Sequence, residues 1–97
     1  PDKVKNLTQV FTEDMHFLAW EHRKQPRDPE AARQFVIYRF SANEKVDLDR
    51  AENIVAVTPD NFYVLPYEGE GNKYTYAVTA LDAFKNEGKA AKIKVKL

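Results

Sequence analysis

The residues able to carry chemistry in this chain are few and poorly placed to act together. His16 and His22 are its two histidines. On a continuous strand they would stand ~20 Å apart at ~3.3 Å per residue, too far to share a metal ion, and they approach only if the chain between them folds back. The alternation that turns Leu18 and Trp20 inward also puts His16 on the core side. There it reads as a rim histidine, partly buried, with a hydrogen-bond partner. Glycoside hydrolysis needs two carboxyl groups about 5–10 Å apart across a cleft. Glu68 and Glu70 fall in one predicted loop, Asp82 and Glu87 in another at the opposite end, so they do not pair. Asp47 and Asp49 alternate with apolar residues, with no histidine, glycine-rich loop or cleft beside them, and read as solvated charges. The chain has no cysteine, which removes thiolate nucleophiles, disulfides and Cys-based zinc sites. Its three glycines form no dinucleotide fingerprint, phosphate loop or nucleophile elbow. No catalytic residue, metal or cofactor is therefore expected. A glycan-acceptor tripeptide, Asn6-Leu7-Thr8, lies in a predicted strand and is of a kind that arises by chance, and the adhesion tripeptide Arg-Gly-Asp is absent.

Fifteen basic residues balance fifteen acidic ones. A neutral domain lacks the footprint that binding a phosphate backbone requires, so nucleic acid is not an expected partner. No apolar run approaches the ~20 residues of a membrane-spanning helix, so this segment is not expected to insert in a membrane, and no signal-peptide pattern is present. The chain opens at Pro1 and reads as strand almost at once. Residues 1–97 are expected to be one domain excised from a larger, exported protein.

Period-2 alternation in short runs separated by turn-forming residues sets the elements. Seven strands are predicted, at 4–11, 15–21, 34–40, 53–58, 62–65, 74–81 and 91–97. The polar segment 22–33 is a loop, since Pro26 and Pro29 stop any strand, with room for one helical turn at 29–32. A second loop spans 41–52. In the last strand Ala91, Ile93, Val95 and Leu97 alternate with Lys92, Lys94 and Lys96, which solvate one face and discourage edge-to-edge pairing. The expected fold is all-β, a seven-stranded antiparallel sandwich.

Trp20 on the second strand, the run Phe35-Val36-Ile37-Tyr38-Arg39, and Leu65 followed by Tyr74-Thr75-Tyr76-Ala77-Val78-Thr79-Ala80 resemble fibronectin type III domains, immunoglobulin-like sandwiches, over essentially the whole chain. The resemblance implies that Trp20, Leu65 and Tyr74 are structural, with Tyr74 making a tyrosine corner whose hydroxyl satisfies loop backbone. An immunoglobulin domain proper would put its tryptophan on the third strand and bridge strands two and six by a disulfide. More narrowly, the runs 35–40, 53–56 and 76–82 with Asn86-Glu87 are similar to the C-terminal sandwich modules of bacterial secreted family-10-like glycoside hydrolases. That likeness implies a non-catalytic accessory or spacer module whose partners are neighbouring domains of the same polypeptide, with glycan a further partner. It also implies an extracellular, periplasmic or cell-surface location.

Two surfaces invite a partner. The third strand is apolar on both faces, and the family register turns Phe35 and Ile37 inward. Val36, Tyr38 and Phe40 are left on the outer face with Ala77 and Leu81. Either neighbouring loops and lysine stems cover them, or they form an interdomain face. The second surface is the end shared by loops 22–33, 59–61 and 82–88, where Phe84 stands with Arg23, Lys24 and Arg27. It would serve an alternative function, a carbohydrate- or protein-binding module. Sugar-binding modules present two or three coplanar aromatic rings, however, and Phe84 alone is placed here. It can equally pack on its own turn.

Overall fold

Short β-branched and aromatic runs punctuated by Pro, Asp and Asn build two antiparallel sheets in the computed structural model, which describes residues 1–22, 27–66 and 71–96. The strands are β1 (Lys5–Phe11), β2 (His16–Glu21), β3 (Gln34–Ser41), β4 (Ile54–Thr58), β5 (Phe62–Val64), β6 (Lys73–Leu81) and β7 (Ala91–Lys96). Their order is β1-β2-β5 in one sheet and β4-β3-β6-β7 in the other. The fourth strand thus joins the sheet of β3 instead of extending that of β1, which separates this arrangement from a constant-type immunoglobulin sandwich.

β4 begins one residue later than the alternation predicts because Asn53 ends a 3-10 turn, Ala51–Asn53. Its side-chain amide donates to the Arg39 carbonyl (2.8 Å) and to Glu44 (3.1 Å), fixing where the strand starts. The chain then crosses to the other sheet. The Asp60 N–H donates to the Thr58 hydroxyl (3.1 Å), and Asn61 donates through its amide to the Trp20 carbonyl (3.0 Å) while accepting the Trp20 N–H (3.1 Å). The predicted helical turn at 29–32 is instead a turn, with the Ala31 N–H on the Asp28 carbonyl at 3.0 Å.

The inward faces meet in a core that includes Leu18, Trp20, Phe35, Ile37, Leu65, Tyr76, Val78 and Val95. Trp20 sets its ring edge-on to Phe35, with centroids 5.4 Å apart. That geometry favours the positive ring edge against the negative face. Tyr74, the second residue of β6, is half-buried, edge-on to Tyr76, with the Arg39 guanidinium 4.6 Å from its ring centroid. The loop to which a tyrosine corner would bond includes 67–70, outside the described residues.

The outer face of β3 corrects one expectation. Val36, Tyr38 and Phe40 are not an open interdomain face. They are 5%, 2% and 0% exposed and form a second core with Ala77. Val46 and Leu48 pack on it from the segment 42–50, together with Leu81 and Ala90. The segment can do this because Val46 and Leu48 alternate with Lys45, Asp47 and Asp49, so one side of it is apolar. Polar bonds close it: Glu44 accepts the Ser41 N–H, and Asp47 accepts the Asp49 N–H, each at 3.0 Å.

Candidate functional site

The carboxylates that could do chemistry are bonded within the fold. Asp82 begins the β6–β7 turn and accepts the N–H groups of Phe84 (2.8 Å) and Asn86 (2.9 Å) and the Asn86 amide (3.1 Å). Burial pushes its carboxyl up, but the Asn86 and Phe84 donors outweigh that and hold it below the usual range. Glu87 accepts from the hydroxyls of both Tyr38 and Thr79. Burial pushes the Tyr38 phenol well above its ordinary value, and the carboxylate beside it adds to the rise. Glu44 and Glu52 pair with Arg50. Glu68 and Glu70 lie outside the described residues.

The histidines stay apart in role. His16 stacks on Phe11, with centroids 3.8 Å apart, and shares a hydrogen bond of 2.6 Å with Gln9. Burial lowers its pKa. His22 lies edge-on to Phe35, at 4.9 Å. Among the described residues no three His, Asp or Glu side chains gather as a metal site would need.

The predicted loop end does assemble. The Arg33 N–H donates to the Leu81 carbonyl (2.7 Å), Lys85 reaches Gln34, and Asn61 bonds Trp20, so the β2–β3, β4–β5 and β6–β7 connections share one end of the sandwich. Phe84 is 72% exposed there, so it does not pack on its own turn. Arg27 is exposed, and Arg23 and Lys24 lie outside the described residues. A shallow pocket of about 310 Å³ beside this end is lined by Pro1, Lys3, Glu21, His22, Asp28 and Glu30, among others, but not by Phe84. Phe11, the other strongly exposed ring, sits at the far end of β1.

A different surface, absent from the sequence-based expectations, is the outer face of the β1-β2-β5 sheet. Directly opposed residues of antiparallel strands share a face. Val10 opposes Phe17, which opposes Val64, and Thr8 opposes Ala19, which opposes Phe62. Because Leu18 and Trp20 point inward, these two rows point out, and Met15 continues them. Val64 is 48% and Phe62 43% exposed. None of the seven carries a charge. The signal was present around β2, where Met15 just before the strand and Phe17 and Ala19 within it are as apolar as its inward residues.

The sheet edges are less inviting. β7 is guarded by Lys92, Lys94 and Lys96, and β5 is three residues long. β1 shifts register between Lys5 and Thr8, with Asn6 at φ 55, and β4 shifts where Val55 is extra. Lysines, short strands and bulges all oppose addition of a foreign strand. A partner is therefore better received on the face than at an edge.

No protein-family model matches the sequence, and no curated protein matches it. Solved structures do match. The Clostridium perfringens spore cortex lytic enzyme SleM aligns with TM-score 0.66 and 12% identity over 100% of this chain. A fibronectin type III domain variant, FN3tt mut, aligns with TM-score 0.61 and 18% identity over 97% of this chain and 87% of its own. The chain spans only 28% of the SleM chain. The fold is thus fibronectin type III-like, a seven-stranded immunoglobulin-like sandwich, and it resembles a module of a lytic enzyme.

Proposed function

We propose that the chain is a non-catalytic accessory module of a larger, secreted bacterial carbohydrate-active protein, which it serves by spacing or bracing neighbouring domains. The observation that carries this reading is the use made of Asp82 and Glu87. Both are tied to turn backbone or core hydroxyls, where an acid–base pair would need to converge on an open cleft. The likeness of the whole chain to 28% of the lytic enzyme SleM supports the modular side of the reading.

Deleting the module from the longer polypeptide tests it. The expected result is lower thermal stability of the remainder with kcat on glycan unchanged, and no turnover by the 97-residue chain alone. Glycan cleavage by the isolated chain, abolished by Glu87→Gln, would overturn it. The 72% exposure of Phe84 favours a second reading, a ligand-binding loop end. Glycan titration of the isolated chain with loss of binding in Phe84→Ala would select that one.

A further inference from the structure

We infer that the outer face of the β1-β2-β5 sheet is the docking site of a tethered neighbouring domain of the same polypeptide, an inference that rests on the accessory-module reading. The two faces of the sandwich set the contrast. The apolar outer face of β3 is closed by Val46 and Leu48 of the chain itself, which leaves the β4 edge residues opposite it, Ile54 and Val57, partly exposed at 38% and 51%. Among the described residues none is packed as such a cover on the face carrying Val10, Phe17, Phe62 and Val64, and Phe62 and Val64 are close to half exposed. A contiguous uncharged patch of this kind is of the size of the largest apolar patch on a folded monomer, which is often a functional one.

Its size selects the occupant. Met15, Phe62 and Val64, each close to half exposed, together with the exposed Thr8 and the partly exposed Val10, Phe17 and Ala19, leave on the order of 300–400 Å² of accessible surface. A second copy docking face to face would bury about 600–800 Å² in all, below the ~1,000 Å² that a free-standing association needs. The same area falls at the lower end of the ~600–1,500 Å² found between domains of one chain. A tether makes so small a contact sufficient by raising the effective concentration of the partner surface. Because the patch has no charge, the docking surface of that domain is apolar as well, and the guarded edges direct it onto the face.

Backbone amide spectra of the 97-residue chain and of the longer polypeptide test this, each also carrying the pair Phe62→Lys and Val64→Lys. The chain alone is expected to sediment as a monomer over about a hundredfold concentration range. Signals of Thr8, Val10, Phe17, Ala19, Phe62 and Val64 are expected to shift in the longer polypeptide and to return to their isolated positions in the double variant, which itself stays folded. Shifts centred on Phe84 or on β4 would overturn the assigned face and leave the accessory reading intact. No shift anywhere would overturn the docking and leave the module a spacer, which the deletion experiment tests separately. A concentration-dependent dimer through the same residues, or an encoded polypeptide with no further domain, would overturn the tethered occupant.

Discussion

Replacing Phe40 by alanine asks whether the outer face of β3 is interior. Phe40 is 0% exposed and lies in the cluster closed by Val46 and Leu48. Truncating a fully buried phenylalanine removes its transfer free energy and leaves a cavity, together about 3–5 kcal/mol. For a domain whose total stability is about 5–15 kcal/mol, that is a large fraction. At about 4–8 °C per kcal/mol for a chain of this size, Tm should fall by roughly 12–40 °C. Urea unfolding of the 97-residue chain measures the change directly, with a lowered midpoint at unchanged slope. Two companions sharpen it. Leu48→Ala, which removes part of the cover, should cost about 1–2 kcal/mol, below the fully buried range because Leu48 is only partly buried. Val64→Thr, on the open face, should stay within about 0.5 kcal/mol. A cost under ~1 kcal/mol for Phe40→Ala would mean that segment 42–50 does not cover the face.

Three further outcomes follow from the loop end. Tyr38→Phe removes one of two hydroxyls donated to Glu87 and should cost about 1–2 kcal/mol in urea, with Thr79 retaining the other bond. Gly88→Ala would set its Cβ 2.4 Å from the Pro1 carbonyl oxygen, so hydrogen exchange should show lost protection at Val4 while the interior of β6 keeps its own. The Asp82 carboxyl is held below its ordinary value of 3.8 in the fold. Its stabilising contribution is therefore complete above about pH 5 and lost as pH falls through the lower folded value, so Asp82→Asn should flatten the fall of Tm between about pH 5 and pH 2.

The inward register of the sandwich was legible because single residues declare it. Trp20, Leu65 and the alternation from Tyr74 to Ala80 set the phase of their strands, and the resemblance to fibronectin type III domains set that of the doubly apolar run from Phe35 to Arg39. The outer surfaces were harder to assign, since alternation says that a second face is apolar but not what lies on it. β3 and β2 are both apolar on two sides. Val46 and Leu48 cover the first, and their alternation with charged residues was visible in the sequence. The second stays open because β1 and β5 add Val10, Phe62 and Val64 to it, a juxtaposition that depends on strand register between distant segments. The bonds of Glu87 to Tyr38 and Thr79 were equally out of reach, since they join residues that only the folded sheet brings together.

The central claim is that this module presents the outer face of its β1-β2-β5 sheet to a neighbouring domain while the outer face of β3 is closed by the module's own segment 42–50. Hydroxyl-radical footprinting of the 97-residue chain alone and within the longer polypeptide tests it most directly. Phe17, Phe62 and Val64 should be labelled in the isolated chain and protected in the longer one, with Tyr38 and Phe40 protected in both. Equal labelling of Phe62 and Val64 in the two forms, or strong labelling of Phe40 in either, would contradict it.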